Sequence, residues 1–144
     1  MNFQIIQSSD LDDIIQFEQK LLAQTMPEEM ERTMHSWHAR WRKESLEHYL
    51  PMGWSFLARN EKNELIGYFL GQPLLFFDGF TQSLWIEYVQ AENDSVRDQL
   101  CEIAYKLSRE KHFQKVYFPK GIDFPNTESW QPGVRTAWTA KVSR

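Results

Sequence analysis

The sequence predicts an α+β domain with a mixed, mostly antiparallel sheet and helices on both faces. Two observations support this. Helical and strand patterns alternate along the chain, and three strand patterns follow one another directly in its middle. A chain of 144 residues has the size of one ordinary domain and can bury a core without disulfides. We therefore expect residues 1–144 to form a single domain.

The first strand and helix are predicted from the N-terminal residues. Residues 3–7 are short, apolar and β-branched, which indicates a strand. Ser8, Ser9 and Asp10 are N-cap residues, and apolar side chains then recur at helical spacing until about Gln24.

Two further helices are expected before the main strands. Pro27 is tolerated at a first helical position, so we expect a second helix to begin there. A third, short helix is predicted over residues 44–49, ending before Pro51. Four large side chains recur at spacings of four, three and four residues, which predicts one face of the second helix: Met30, Met34, Trp37 and Trp41.

The middle of the chain predicts an antiparallel meander of three strands. Strand patterns cover residues 54–59, 65–77 and 81–89, with a bend expected at residues 71–73. Residues 60–63 form a polar turn, and Asp78-Gly79 is a strong hairpin signal.

A helix and two strands complete the predicted order. Asp94 or Ser95 is expected to cap a helix that ends near Lys111. Residues 116–118 predict a strand parallel to its neighbour, because a helical crossover precedes it. Residues 121–133 indicate a loop, and residues 136–142 a last strand.

Composition excludes several classes of function. A net charge of −4 argues against a nucleic-acid-binding protein. The most apolar stretch, residues 65–77, is too short and interrupted to cross a bilayer. The single cysteine, Cys101, lies in an apolar helical pattern and is expected to be buried rather than catalytic. His35 and His38 lack further ligands for a metal site. We expect a cytoplasmic protein without a metal.

The order of elements resembles the GNAT acyltransferase family along nearly the whole chain. The best local match is Trp85-Ile86-Glu87-Tyr88-Val89, followed by a helix and then by Glu110-Lys111-His112-Phe113. Members of this family commonly have a Glu-bearing apolar strand, a cofactor loop, and a helix ending in a similar sequence. The resemblance implies acetyl-CoA or CoA as the cofactor and an amine as the acceptor.

The resemblance also implies positions for the cofactor. Val89 and Ala91 would bond the pantetheine arm with their backbone groups. The amides of Ser95, Val96 and Arg97 would receive the pyrophosphate at the start of the following helix.

Two departures from the family pattern concern the cofactor and the leaving group. The family's phosphate loop is rich in glycine, but residues 90–95 contain none, and this loop is shorter by about four residues. Glu92 and Asp94 would repel a pyrophosphate, which Arg97 could offset. The family's thiolate-protonating tyrosine has no counterpart, because no tyrosine follows Tyr117.

Three residues are candidates for contact with the acceptor. Glu87 could remove the ammonium proton, or it could be a carboxylate on the solvated face of a strand. Trp37 and Trp41 could line a substrate pocket or a homodimer interface, although core packing of an amphipathic helix is the commoner explanation of such a stripe.

Three hypotheses therefore remain open. The first is an acyl-CoA-dependent N-acetyltransferase acting on a small-molecule or protein amine. The second is a catalytically inactive GNAT-like domain that binds a small molecule or protein. The third is an unrelated α+β interaction domain.

Overall fold

A computed structural model describes residues 1–37, 39–77 and 79–119 and the backbone of residues 135–137. The predicted loop at residues 121–133 lies outside these residues, as do Trp130, Trp138 and most of the predicted last strand. The helices are α1 (Leu11–Thr25), α2 (Glu29–Ser36), α3 (Lys43–Tyr49) and α4 (Asp94–Glu110), and the strands are β1 (Asn2–Ile5), β2 (Phe56–Arg59), β3 (Leu65–Phe77), β4 (Phe80–Ala91), β5 (Lys115–Phe118) and β6 (Arg135–Ala137).

The six strands form one mixed sheet in sequence order. Strands β1 to β4 pair antiparallel, and β5 pairs parallel with both β4 and β6. The predicted meander and the parallel strand after the helical crossover are therefore confirmed.

The sheet buries a core on each face, which confirms the prediction of helices on both sides. Helix α4 packs its apolar stripe on one face, with Leu84, Ile86, Val96 and Leu100 among the buried side chains. Helices α1 and α3 cover the other face, where Ile14, Leu46, Leu57, Tyr68 and Leu70 are buried. Successive strand residues point to opposite faces, so that Ala58 and Phe69 lie in one core and their neighbours Leu57 and Leu70 in the other.

The predicted stripe on the second helix is wrong. Helix α2 begins at Glu29, with Pro27 outside it, and ends at Ser36, so helical spacing does not continue to Trp41. Met30, Met34 and Trp37 are 69%, 55% and 58% exposed, whereas Trp41 is 6% exposed and belongs to the core under α1 and α3. The core-packing interpretation therefore holds for Trp41 alone.

The start of α4 also differs from the prediction. Asn93 is its N-cap, and its side chain accepts a hydrogen bond from the Val96 N–H at 2.9 Å. Asp94 and Ser95 are instead the first two helical residues. Asn is as good an N-cap as Asp or Ser, so the three neighbouring candidates could not be separated by propensity.

A β-bulge interrupts the long β3–β4 ladder. Leu70 pairs with Tyr88 and Gly71 pairs with Ile86, so Glu87 is the extra residue of β4 in this ladder. The Gly71 N–H donates to the buried Ser55 hydroxyl at 3.1 Å. A Cβ atom on Gly71 would lie 2.5 Å from the Trp54 carbonyl oxygen, so the close approach of this chain segment requires glycine. The bend expected at residues 71–73 does not interrupt β3, which is one strand from Leu65 to Phe77; the irregularity is the bulge on β4 opposite its residues 70 and 71.

Strand β4 separates from β5 beside the bulge. The parallel pairing joins only Ser83, Leu84 and Trp85 to residues 115–117. In the described part of the chain this pairing ends at Trp85, whereas β4 continues to Ala91. A bulge bends its strand and ends pairing locally, which explains why the divergence begins here.

The bonded serine beside the bulge gives a test of this architecture. Ser55→Ala would leave the buried Gly71 N–H without its acceptor and should lower the free energy of unfolding by about 1–3 kcal/mol, measured by urea denaturation. Ser83→Ala is the matched control, because Ser83 is equally buried and its hydroxyl has no partner among the described residues. Equal losses in the two variants would contradict this role for Ser55.

Candidate functional site

The open edge of β4 presents backbone groups to the gap between β4 and β5. In an antiparallel ladder, alternate residues direct both N–H and C=O at the neighbouring strand, and the residues between direct both away. The Glu92 N–H donates to the Ile66 carbonyl at 2.9 Å, so Glu92 faces β3. Val89 and Ala91 therefore direct their backbone groups towards the gap, where the Ala91 N–H donates to the Gln90 side chain at 3.2 Å.

Glu87 occupies the bulge, and its side chain lies on the face covered by α1 and α3. The Tyr49 hydroxyl of α3 donates to Glu87 Oε1 at 3.1 Å. Glu87 is partly buried and lines a depression of about 360 Å³, whose other walls include Arg40, Arg42 and His48. A carboxylate held by a tyrosine beside an open strand edge has the position that a proton acceptor needs.

The amides at the start of α4 are partly used within the chain. The Val96 N–H donates to the Asn93 side chain at 2.9 Å, and the Arg97 N–H donates to the Asn93 carbonyl at 3.2 Å. Ser95 is the second helical residue, whose N–H has no acceptor within a helix. Of the three amides assigned to the pyrophosphate, the Ser95 amide is therefore the one left for a ligand without a rearrangement.

Arg97 is paired locally. Its guanidinium lies 3.5 Å from Asp94 and 3.1 Å from Asp98. Its positive charge is therefore already balanced by carboxylates of its own helix, which weakens its capacity to offset the repulsion between Glu92 and a phosphate.

A buried polar cluster lies on the same face of the sheet as Glu87 and was missed by the sequence analysis. Glu18 of α1 is 3% exposed and accepts hydrogen bonds from the Tyr68 hydroxyl and, at 3.3 Å, from Gln90 Nε2. Gln90 Nε2 also donates to the Tyr88 hydroxyl at 3.1 Å. A signal did exist, because Glu18 continues the apolar helical spacing of Leu11 and Ile14.

Burial controls the protonation of this cluster. Removal from water raises the pKa of Glu18, although hydrogen bonds from Tyr68, Tyr88 and Gln90 oppose the rise. Burial and the adjacent Glu18 carboxylate raise the pKa values of Tyr68 and Tyr88 as well. Both tyrosines therefore stay protonated and act as hydrogen-bond donors.

A cavity of about 310 Å³ lies against this cluster. It is open to solvent on one side and is lined by α1, the α1–α2 connection and β4, with His35 of α2 and Trp41 as further parts of its wall. Of the two predicted acceptor-contacting tryptophans, Trp41 thus lies beside a cavity, whereas Trp37 is exposed and its carbonyl accepts from Arg42 at 2.7 Å.

The sequence also raised a catalytic cysteine, a metal site and a membrane span as possibilities. Cys101 is 1% exposed, and burial raises the pKa of its thiol to about 12, as expected of a structural residue. His38 lies outside the described residues, and within them no group of His, Cys, Asp and Glu side chains could hold a metal. Among the helices that the structure describes, none combines the length and apolar character needed to cross a bilayer.

Comparison with known proteins gives structural neighbours but no sequence relatives. No protein-family model matches the chain, and no curated protein matches it. A GNAT-family acetyltransferase from Listeria monocytogenes is 14% identical and aligns over 80% of this chain and 73% of its own, with a TM-score of 0.57. One from Staphylococcus aureus Mu50 is 13% identical over 80% of this chain and 70% of its own, with a TM-score of 0.56. Arylalkylamine N-acetyltransferase 2 from Aedes aegypti is 15% identical over 80% and 73%, with a TM-score of 0.54.

These neighbours show that the chain has the GNAT fold. Fold similarity at this level of identity does not transfer an activity or a substrate. It does show that the predicted element order corresponds to this fold in three dimensions.

The buried carboxyl group gives a pH-dependent test. Because the folded-state pKa of Glu18 is raised, its contribution to stability is fully present below its ordinary value of 4.5 and is lost as pH rises through the folded-state pKa. We expect the free energy of unfolding of the native chain, relative to Glu18→Gln, to fall as pH increases from 4.5. Urea denaturation across this range measures the difference.

The exposed Glu28 supplies the control for this comparison. Glu28→Gln removes an exposed carboxylate instead, so comparison of its stability curve with that of Glu18→Gln isolates the effect of the buried carboxyl group. If the free energy of unfolding of the native chain instead rises with pH relative to that of Glu18→Gln, the sign of the Glu18 pKa shift is wrong.

Proposed function

We propose that the protein is an acyl-CoA-dependent N-acyltransferase that transfers an acetyl or other acyl group to an amine. The observation that carries this proposal is the open edge of β4, where the backbone groups of Val89 and Ala91 face a gap directly beyond the bulge that holds Glu87. The GNAT-fold neighbours that are named acetyltransferases support it.

The residues present fit one part of acyl-CoA better than the other. The strand amides and carbonyls of Val89 and Ala91 that face the gap match an extended pantetheine chain, which itself carries amide groups, although the Ala91 N–H would have to give up its bond to the Gln90 side chain. The start of α4 fits the pyrophosphate less well, because Asn93 occupies the Val96 amide and Glu92 adds negative charge. Bound acyl-CoA would supply the activated acyl carbonyl.

Glu87 is assigned the role of general base. An amine attacks an acyl carbonyl only after it loses its ammonium proton, and a carboxylate within hydrogen-bond reach can accept that proton. Attack of the neutral amine on bound acyl-CoA would form the amide bond and break the carbon–sulfur bond, and the departing CoA thiolate would take up the second proton that the nitrogen loses. The Tyr49 hydroxyl holds the carboxylate in position through its hydrogen bond to Oε1.

A second candidate function is a GNAT-like module that binds a partner or small molecule without catalysis. Two observations favour it: the internally capped, acidic start of α4, and the exposed apolar side chains of Met30 and Met34 on α2 and of Trp37 directly after it. Exposed apolar clusters often mark contact surfaces, so a protein partner or a homodimer would use this face of α2.

Calorimetric titration separates the two functions. We expect acetyl-CoA and free CoA to bind in the micromolar range, and Ser95→Pro to weaken binding by roughly tenfold because it removes one phosphate-facing amide. Ser95→Ala keeps the amide and is the control. Glu92→Gln should strengthen binding, since it removes a repulsive charge. Absence of binding at millimolar ligand would overturn the acyl-CoA proposal in favour of the module.

The base is tested by kinetics. In a coupled assay of CoA release with a panel of amines, Glu87→Gln should lower kcat by roughly 10²–10⁴-fold, the usual contribution of a general base. The dissociation constant of acetyl-CoA should stay near its native value. Glu92→Gln removes a carboxylate five residues further along and should leave kcat unchanged. An equal loss of rate in both variants would indicate a general charge effect rather than a base.

A further inference from the structure

Glu18 is a buried carboxylate that forms no ion pair with the described residues. It is 3% exposed, and no Lys, Arg or His side chain of the described residues forms an ion pair with it. An isolated buried charge is strongly unfavourable unless hydrogen bonds and an opposite charge compensate it. Hydrogen bonds are present at Glu18, but among the described residues no cationic side chain lies within ion-pair distance of it.

The hydrogen-bond donors around Glu18 fix its orientation but leave some of the acceptor positions of its carboxylate unoccupied. Tyr68 donates to Oε2 from β3, Gln90 donates to Oε1 from β4, and the Tyr88 hydroxyl lies in the same cluster. A carboxylate has about four acceptor positions on its two oxygens, so this arrangement leaves room for a further donor. The exposed His35 of α2 is the one other titratable group whose charge acts on Glu18.

The cavity beside Glu18 has the composition of a site for an organic cation. Its volume of about 310 Å³ suits a small molecule, and its apolar and aromatic walls include Leu22, Met26, Trp41 and Tyr88. Aromatic rings attract cations through their faces, and a carboxylate at one end supplies a charged hydrogen-bond acceptor.

The cavity also lies beside the proposed catalytic strand. Tyr88 and Gln90, which form its β4 wall, directly follow Glu87 and lie on the face that α1 and α3 cover. A ligand in this cavity would therefore approach the open strand edge from the side opposite α4.

We propose that this cavity binds the ammonium group of a small organic cation with an apolar body, with Glu18 as its counter-ion and Trp41 and Tyr88 as aromatic walls. The assignment of this cation as the acyl acceptor rests on the proposed function, but its binding does not. Glu18 then determines specificity, because it distinguishes a cationic amine from a neutral molecule of the same shape.

The test compares two probes of the same shape without any CoA compound present. We expect 2-phenylethylamine, which is cationic at neutral pH, to bind the native chain at least roughly tenfold more tightly than the neutral 2-phenylethanol in calorimetric titration. Equal affinity for the two probes, or no binding of either, would overturn the proposal. This comparison needs no variant, so it holds even if a substitution at Glu18 prevents folding.

Variants then locate the cation. Glu18→Gln, with folding checked by circular dichroism, should remove the preference for the amine over the alcohol. Glu102→Gln, which changes an exposed carboxylate on α4 far from the cavity, should retain it. A folded Glu18→Gln chain that still prefers the amine would overturn the assignment to Glu18. Amine binding without acetyl transfer would leave the cation site standing and count against the proposed acyltransferase alone.

Discussion

The bulge between β3 and β4 is the constraint on which the candidate site depends. One extra residue on β4, Glu87, changes which backbone groups face β3 and which face away beyond it. It also places the Glu87 side chain beside Tyr49, and it coincides with the point where β5 leaves the sheet. Ser55 and Gly71 support the bulge from the β2 side, because the serine hydroxyl accepts the glycine N–H and the absent side chain permits close approach.

The two ends of the site differ in how far their polar groups are available to a ligand. Towards α1, Glu18, Tyr68 and Gln90 hold one another in a buried network beside a cavity, which is a preorganised arrangement. Towards α4, the polar groups are bonded to one another: Asn93 caps the helix and Arg97 pairs with Asp94 and Asp98. A ligand phosphate there would have to compete with bonds that the chain already makes. The strength of acyl-CoA binding therefore depends mainly on the open edge of β4.

Helix α2 shows how a periodic pattern can mislead. The spacing from Met30 to Trp41 is helical, yet the helix ends at Ser36 and the chain turns before Trp41 enters the core. The same four residues thus have two roles. Met30, Met34 and Trp37 are exposed, whereas Trp41 is buried in the core and also lines the cavity beside Glu18. Periodicity is a local property, whereas burial depends on what the remaining chain brings against each side chain.

The sequence by itself determined the elements and their order, because strand alternation, helical spacing and turn residues are local signals. The meander, the crossover helix and the parallel strand follow from those signals, and Glu87 and Val89 were singled out through the family resemblance. Tertiary structure decided the rest. The bulge depends on Ser55 and Gly71, which are 16 residues apart. The Glu18 cluster joins residues separated by 50 and 72 positions. No local pattern encodes contacts over such distances, since they exist only once the sheet and α1 have packed together.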